Sequence, residues 1–285
     1  MSNWPKGPTT WIDARTLYVS VPFTWNLHSV RCDLIQRSLL WDSAIVGGPA
    51  VRLMPDALTR ISNVSVSLAD MPGVLQRANP QATRTTVGCP NRCGYCAVPT
   101  IEGDFRELDD WPDQPIICDN NLLAASQSHF DRVCERLAGH GWADFNQGLD
   151  ARLVTTWNAK RIAAIGKPIV RLALDSFSED RRHSWLDAYV HLREAGIAKS
   201  RIRCYALIGW NDTPDEAWQR CKWIERQGAL ALPMWFHELD ATEANRVTWR
   251  QRNVYKWTDA KRRQIMQWFS GTNVLCAMKA KEREA

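Results

Sequence analysis

The sequence predicts an α/β protein built on parallel sheet, and three observations predict it. From residue 83 to residue 236, short β-branched or apolar runs alternate with longer amphipathic stretches. Strands separated by helices pair in parallel, through right-handed crossovers. The first 82 residues carry a smaller β-α-β pattern of their own. Hydrophobic residues make up 45% of the 285 and charged residues 24%, the composition of an ordinary chain with a buried core.

In the first unit, residues 1–82, residues 16–23 (TLYVSVPF) read as a strand. Residues 26–40 follow as an amphipathic helix with Leu27, Val30, Leu34 and Leu39 near helical spacing. Residues 43–51 (SAIVGGPAV) read as an apolar strand running into a Gly-Gly-Pro turn, and a short helix spans 56–61 after Pro55. A polar stretch with Pro80 marks the boundary. Strands are then predicted at 83–88, 115–119, 144–153, 169–175, 201–209 and 230–236, with helices at 122–137, 155–165, 179–195 and 213–227. Thr213-Pro214-Asp215-Glu216 is a helix start, with proline at the first helical position. Residues 241–285 form a basic, tryptophan-rich helical extension beyond the unit 83–240.

Between the first two strands of the second unit lies GCPNRCGYCAVP, residues 88–99. Cys89, Cys93 and Cys96 form a Cys-x-x-x-Cys-x-x-Cys loop, and Tyr95 stands directly before the last thiol. Thiolates are soft ligands suited to iron–sulfur clusters and zinc. A structural zinc site wants four ligands and usually repeats a paired-cysteine knuckle, and no second Cys-x-x-Cys occurs. This motif resembles the signature of radical S-adenosylmethionine (SAM) enzymes. The resemblance implies a partial (β/α)6 barrel and a 4Fe–4S cluster held by the three cysteines. It also implies SAM chelated on the open iron, and a 5′-deoxyadenosyl radical that abstracts hydrogen from the substrate. The remaining cysteines, at 32, 118, 134, 204, 221 and 276, stand singly among apolar neighbours and show no auxiliary cluster.

The resemblance is closest to the methylthiotransferase and cobalamin-domain branch. The GGPAV run before Met54-Pro55-Asp56 is similar to the domain preceding the barrel there, and implies a Rossmann-like cap. The cobalt-ligating Asp-x-His-x-x-Gly run is absent, and His28 is a lone helical histidine, so no cobalamin is expected. Glu102 to Arg106 also resembles that branch, with Arg106 shielding the cluster, facing substrate, or solvated. Cys118-Asp119-Asn120-Asn121 occupies the place of the motif that holds the SAM amino group. The alternative is a turn with a helix N-cap, and both roles fit together. Leu174-Asp175-Ser176 is similar to the run that contacts ribose or methionine. The run at 207–213 resembles the segment whose backbone near its glycine, here Gly209, meets adenine. Tyr95 belongs to the same cofactor set.

Other polar residues fall at strand ends, where parallel α/β sheets bind ligands. Asn146 and Gln147 suit recognition of amide or base edges. Arg152 suits a bidentate grip on a carboxylate of SAM or substrate, or a surface pair with Asp150. No catalytic acid or base is singled out among Asp150, Tyr205, His237 and Glu238.

Residues 246–263 carry Arg246, Arg250, Arg252, Lys256, Lys261, Arg262 and Arg263 interleaved with Trp249, Tyr255 and Trp257. Cations beside stacking rings hold nucleic acid; a basic helix face over the barrel is the alternative. The expected substrate is therefore a nucleobase in DNA or RNA, including an already decorated base, modified by rearrangement, carbon–carbon bond formation or fragmentation. Compact viral DNA-hypermodification enzymes of this superfamily offer the analogy. A tRNA, peptide or small-molecule substrate, and a zinc-stabilised nucleic-acid-binding module, are the competing expectations. The resemblance also implies a flavodoxin- or ferredoxin-type reductant as partner. The net charge of +5 suits an anionic partner. No apolar run approaches the roughly 20 residues that span a bilayer, and residues 1–11 lack a signal-peptide core. The expected location is the cytoplasm, the host's if the chain is viral, with no membrane partner.

Overall fold

The computed structural model describes residues 4–71 and 73–269; Cys276 and the end of the 241–285 extension lie outside them. The chain divides into two compact units. The first takes the chain up to Ala82 together with Cys96–Gly103 and His237–Asn245. The second takes Thr83–Tyr95, Asp104–Phe236 and the chain from Arg246 onward.

In the first unit, β1 (Thr9–Asp13) and β2 (Thr16–Ser20) form an antiparallel hairpin. Trp11 and Tyr18 are register partners with rings stacked at 5.0 Å, the kind of cross-strand pair that stabilises a sheet. Helix α1 (Leu27–Gln36) buries Leu27, Val30 and Leu34. It leads to β3 (Ser43–Gly47), α2 (Pro49–Leu53), β4 (Val64–Val66) and α3 (Val74–Ala78). The sheet order is β1-β2-β3-β4, parallel from β2 onward. Helix α4 (Val98–Glu102) packs on α2, where Arg52 donates to the Ile101 carbonyl.

Three expectations need correction here. The strand in the 43–51 run ends at Gly47, at the expected Gly-Gly-Pro turn, but the residues after that turn, Pro49–Leu53, are helix. Gly48 sits at φ +98°, and a Cβ there would lie 2.8 Å from Val21 N, so the chain turns through a close backbone approach. Pro49 then opens a helix, where its missing N–H is no loss. The Gly-Gly-Pro turn is thus backbone packed against backbone. The helix predicted to reach residue 40 ends at Gln36, and the one predicted over 56–61 is a 3-10 turn, Pro55–Leu58.

The second unit contains a six-stranded sheet. Its strands are β5 (Ala82–Thr83), β8 (Ile116–Ile117), β9 (Trp142–Phe145), β10 (Lys167–Ala173), β11 (Ile202–Ile208) and β12 (Leu230–Trp235), adjacent in chain order. β8 to β12 pair in parallel throughout. The crossovers carry α5 (Gln127–His140), α6 (Thr156–Ala163), α7 (Glu179–Glu194) and α8 (Pro214–Arg226). α5 packs on β9, α6 on β10, and α8 on β11 and β12. Ser126, Thr155 and Thr213 cap α5, α6 and α8, the last two through reciprocal capping boxes. Trp185, Phe130, Phe145 and Leu172 are fully buried in this core. The protein is therefore mixed α/β with parallel sheets, and parallel pairing brings the carboxyl ends of β8 to β12 to one sheet edge.

The strand predicted over 83–88 is broken. After β5 the chain leaves the sheet, and β6 (Thr86–Val87) pairs instead with β7 (Arg106–Glu107) as a separate antiparallel ribbon. The strand predicted over 144–153 ends at Phe145; Leu149 rejoins the sheet by one bridge to Leu172, and Ala151–Leu153 is a 3-10 turn. The basic stretch after residue 246 is two helices, α9 (Trp249–Asn253) and α10 (Asp259–Trp268), separated at Lys256, which has φ +63°. Among the described residues no helix is long and apolar enough to cross a membrane.

Candidate metal and cofactor site

The loop after β6 carries the thiols. Cys89, Cys93 and Cys96 are each half-buried and unbridged, whereas Cys118, Cys134, Cys204 and Cys221 are buried. Burial lifts the thiols of Cys118, Cys134 and Cys221 to about 12, so they stay protonated and inert. By the division of units, Cys89 and Cys93 belong to the second and Cys96 opens a segment of the first. Among the described residues no three His, Cys, Asp or Glu side chains are grouped to hold one metal ion. A cubane cluster does not require that grouping, because each thiolate binds a different iron.

Within the second unit, four strand ends reach the loop. From the β8 end, Asn121 Nδ2 donates to Cys89 Sγ at 3.6 Å. From the β9 end, Asp150 Oδ2 accepts from Asn91 Nδ2 at 3.0 Å. From the β10 end, Asp175 Oδ2 accepts from the Tyr95 hydroxyl at 2.6 Å. From the β11 end, the Trp210 ring meets the edge of Tyr95 at 6.1 Å between centroids. Burial, then the charge of Asp175, pushes the Tyr95 phenol far above its ordinary value, so Tyr95 is a permanent donor. Burial also raises Asp175, against the pull of Tyr95 and Arg220. Burial raises Asp150 too, but hydrogen bonds and charge from Arg152, with Asn91, outweigh it and hold that carboxyl below its usual range.

Several predicted ligands have other occupations. Asp119 is 2% exposed. Its Oδ1 accepts from the Thr85 and Thr86 amides at 2.6 and 3.0 Å, and its Oδ2 from the Thr85 hydroxyl. These bonds are what turn the chain out of the sheet after β5, so Asp119 shapes the loop's approach instead of offering an open acceptor. Asn120 is half-buried and Asn121 buried. Arg152 is bidentate to Asp150, its Nε at 2.8 Å and its Nη2 at 2.5 Å, in a pair whose carboxylate is largely buried. Its guanidinium nevertheless lies near Cys93 and Tyr95.

Gly209 does not present a free backbone. Its N–H donates to Asp212 Oδ1, its carbonyl accepts from Gln251 Nε2, and a Cβ there would lie 2.6 Å from the Trp235 ring. Asn146 is half-buried and its carbonyl accepts from the Tyr205 hydroxyl; Gln147 and Ser176 are exposed.

In the basic segment, Trp257 is a correction. It is 0% exposed, its Nε1 donates to the Asp212 carbonyl, and its ring packs edge-on against Trp235. It is core and cannot stack on a substrate. Trp249 is 75% exposed. Arg246, Arg252 and Lys256 are exposed. Arg250 donates to Asn211 Oδ1 at 2.8 Å and lies over the Trp210 ring at 5.8 Å, which places it two side chains from Tyr95.

Two participants, Asn91 and Arg220, escaped the sequence reading, and so did the pairing of Asn211 with Tyr255. Asn91 sits in the variable spacer of the motif, where no residue type is expected. Asn211 and Tyr255 meet across 44 positions through a 2.8 Å hydrogen bond, which no local pattern signals. Arg220 was legible in principle: it is a charged residue on the apolar period of Ala217, Cys221 and Ile224. There it donates to the carbonyls of Asp175 and Leu207 and pairs with Asp212.

The residues present suit a cluster and an amino-acid-bearing ligand. The three thiols of the motif are half-buried and unbridged, and Asn121 Oδ1 is buried with no partner. A buried acceptor without a donor is a feature an incoming ammonium group would satisfy. Neither a protein-family model nor a curated protein matches this sequence.

Proposed function

We propose that the chain is a radical SAM enzyme with a partial (β/α)6 barrel, and that it modifies a nucleobase in DNA or RNA. The observation that carries this is the attachment of one three-cysteine loop to successive strand ends: Asn121 to Cys89, Asn91 to Asp150, Tyr95 to Asp175. Loops at the carboxyl ends of parallel strands are where α/β sheets place their chemistry.

Cys89, Cys93 and Cys96 would hold the 4Fe–4S cluster. When bound, cluster and SAM supply a one-electron cleavage that delivers a 5′-deoxyadenosyl radical. The chain's own residues do the rest. Asn121 Oδ1 offers an acceptor for an ammonium group. Tyr95, fixed by Asp175, anchors the loop beside Cys93. The Asp150–Arg152 pair presents a guanidinium edge at the same strand end. Arg250, Trp249, Arg252 and Lys256 supply cations and an exposed ring for a phosphate backbone and a base. Arg250 joins this surface to Trp210 and hence to the loop, which favours nucleic acid over a peptide or small molecule.

The test is anaerobic reconstitution of the full chain with iron and sulfide. About four irons and four sulfides per chain are expected. Addition of dithionite and SAM should then release 5′-deoxyadenosine. One zinc per chain and no deoxyadenosine would sustain the zinc-module reading instead.

A further inference from the structure

We propose that Asn121 sets the reduction potential of the metal centre at Cys89 through an N–H···S hydrogen bond, a role separate from holding any ligand. This rests on the cluster reading above. Asn121 follows β8 and is 2% exposed. It caps the 3-10 turn Leu122–Ala124 by position alone, with no side-chain bond to that turn. Its amide is therefore not occupied in local structure, unlike the neighbouring Asp119. Its Nδ2 lies 3.6 Å from Cys89 Sγ, a normal length for a bond to sulfur, while Oδ1 is buried without a partner.

The orientation follows from charge. An amide's oxygen and nitrogen are assigned from their partners. A thiolate bound to iron is electron-rich and accepts only, so the N–H must face it. The reversed amide would set oxygen against sulfur.

Burial gives the contact its consequence. In a site of low dielectric a hydrogen bond to a charged acceptor is strong. One-electron reduction adds negative charge to the cluster and its thiolates, with no proton required. A donor at sulfur stabilises the reduced form more than the oxidised one and raises the potential. Hydrogen bonds to cluster sulfurs are among the levers that set such potentials. Cys93 has its own positive neighbour in Arg152, so the two thiols are moderated from different strand ends.

The experiment is a redox titration of the anaerobically reconstituted full chain, followed by visible absorbance and electron paramagnetic resonance with dithionite as the one-electron donor. Wild type, Asn121→Ala and Asn121→Asp are compared at equal iron and sulfide content. Both variants should have a more negative midpoint than wild type, and Asn121→Asp the most negative, since it also adds charge. Equal midpoints in wild type and Asn121→Ala overturn the proposal while leaving the cluster reading intact. A wild-type chain that takes up no iron and sulfide overturns that reading and this proposal together. If Asn121→Ala does not load, Asn121→Asp, of the same shape, decides. If neither loads while wild type does, Asn121 acts in assembly and the tuning role is overturned.

Discussion

Asp119 shows how one carboxylate is assigned by its surroundings. By position it belongs to a ligand-binding run, yet it is bound to Thr85 and Thr86. Burial pushes its pKa from 3.8 to about 6, against the pull of those bonds. The folded chain thus holds this proton more tightly than the unfolded chain. The stability so gained is complete below 3.8 and is lost as pH rises through about 6. The difference is about 3 kcal/mol across that window. Asp212, also raised to about 6, acts in the same direction. The lowered carboxyls Glu107 and Glu216 act in the opposite direction, below their ordinary 4.5. Inside the window Asp175, raised by burial, adds to the effect, while His129, lowered by burial, opposes it; between pH 4.5 and 6.5 the urea midpoint should fall with rising pH. Asp119→Asn, with no proton to lose, should fall less steeply. Parallel slopes in the two proteins would show that Asp119 does not carry the effect.

At the level of elements, the site's geometry depends on a helix that lies outside the thiol loop. Arg220 on α8 is 3% exposed and holds the ends of β10 and β11 through the carbonyls of Asp175 and Leu207. It also pairs with Asp212, whose Oδ1 accepts from Gly209 N. Removing one member of a buried pair strands the other. Arg220→Leu should cost about 3–5 kcal/mol at pH 7.5. It should cost less at pH 5, where the abandoned Asp212 takes up a proton. Chemical denaturation at the two pH values checks this, and a cost independent of pH would refute it. The alternation that predicts β10, α7, β11 and α8 was plain in the sequence, because periodicity and caps are local. The break between β5 and β6 was not, because β-branched Thr85 and Thr86 look strand-like and their amides answer to Asp119, more than thirty residues away. Trp257 was misread for a similar reason: its neighbours are basic, but its own partners are Asp212 and Trp235. The thiols, Tyr95 and Asp175 were legible as residues, while the bonds joining them were not.

Across the whole molecule, the excess of +5 is too diffuse to specify a nucleic-acid partner, so the question is whether binding uses the field of the chain or particular contacts. The two possibilities differ in salt dependence. Each phosphate contact on single-stranded nucleic acid contributes about −0.7 to the slope of log K against log salt concentration. Stacking contributes affinity of about 1–3 kcal/mol per base and no slope. The side chain of Arg252 is 60% exposed and only 3.9 Å from Asp259, a weak tether that a phosphate can replace. The exposed Trp249 has an indole suited to stacking. Arg252→Ala should therefore flatten the salt slope by about 0.7, whereas Trp249→Ala should weaken binding with the slope unchanged. Fluorescence anisotropy with a labelled oligonucleotide at four salt concentrations separates the two. If both substitutions leave both quantities where they were, the segment after residue 246 is a basic outer face of the fold, and the substrate must be sought among smaller molecules.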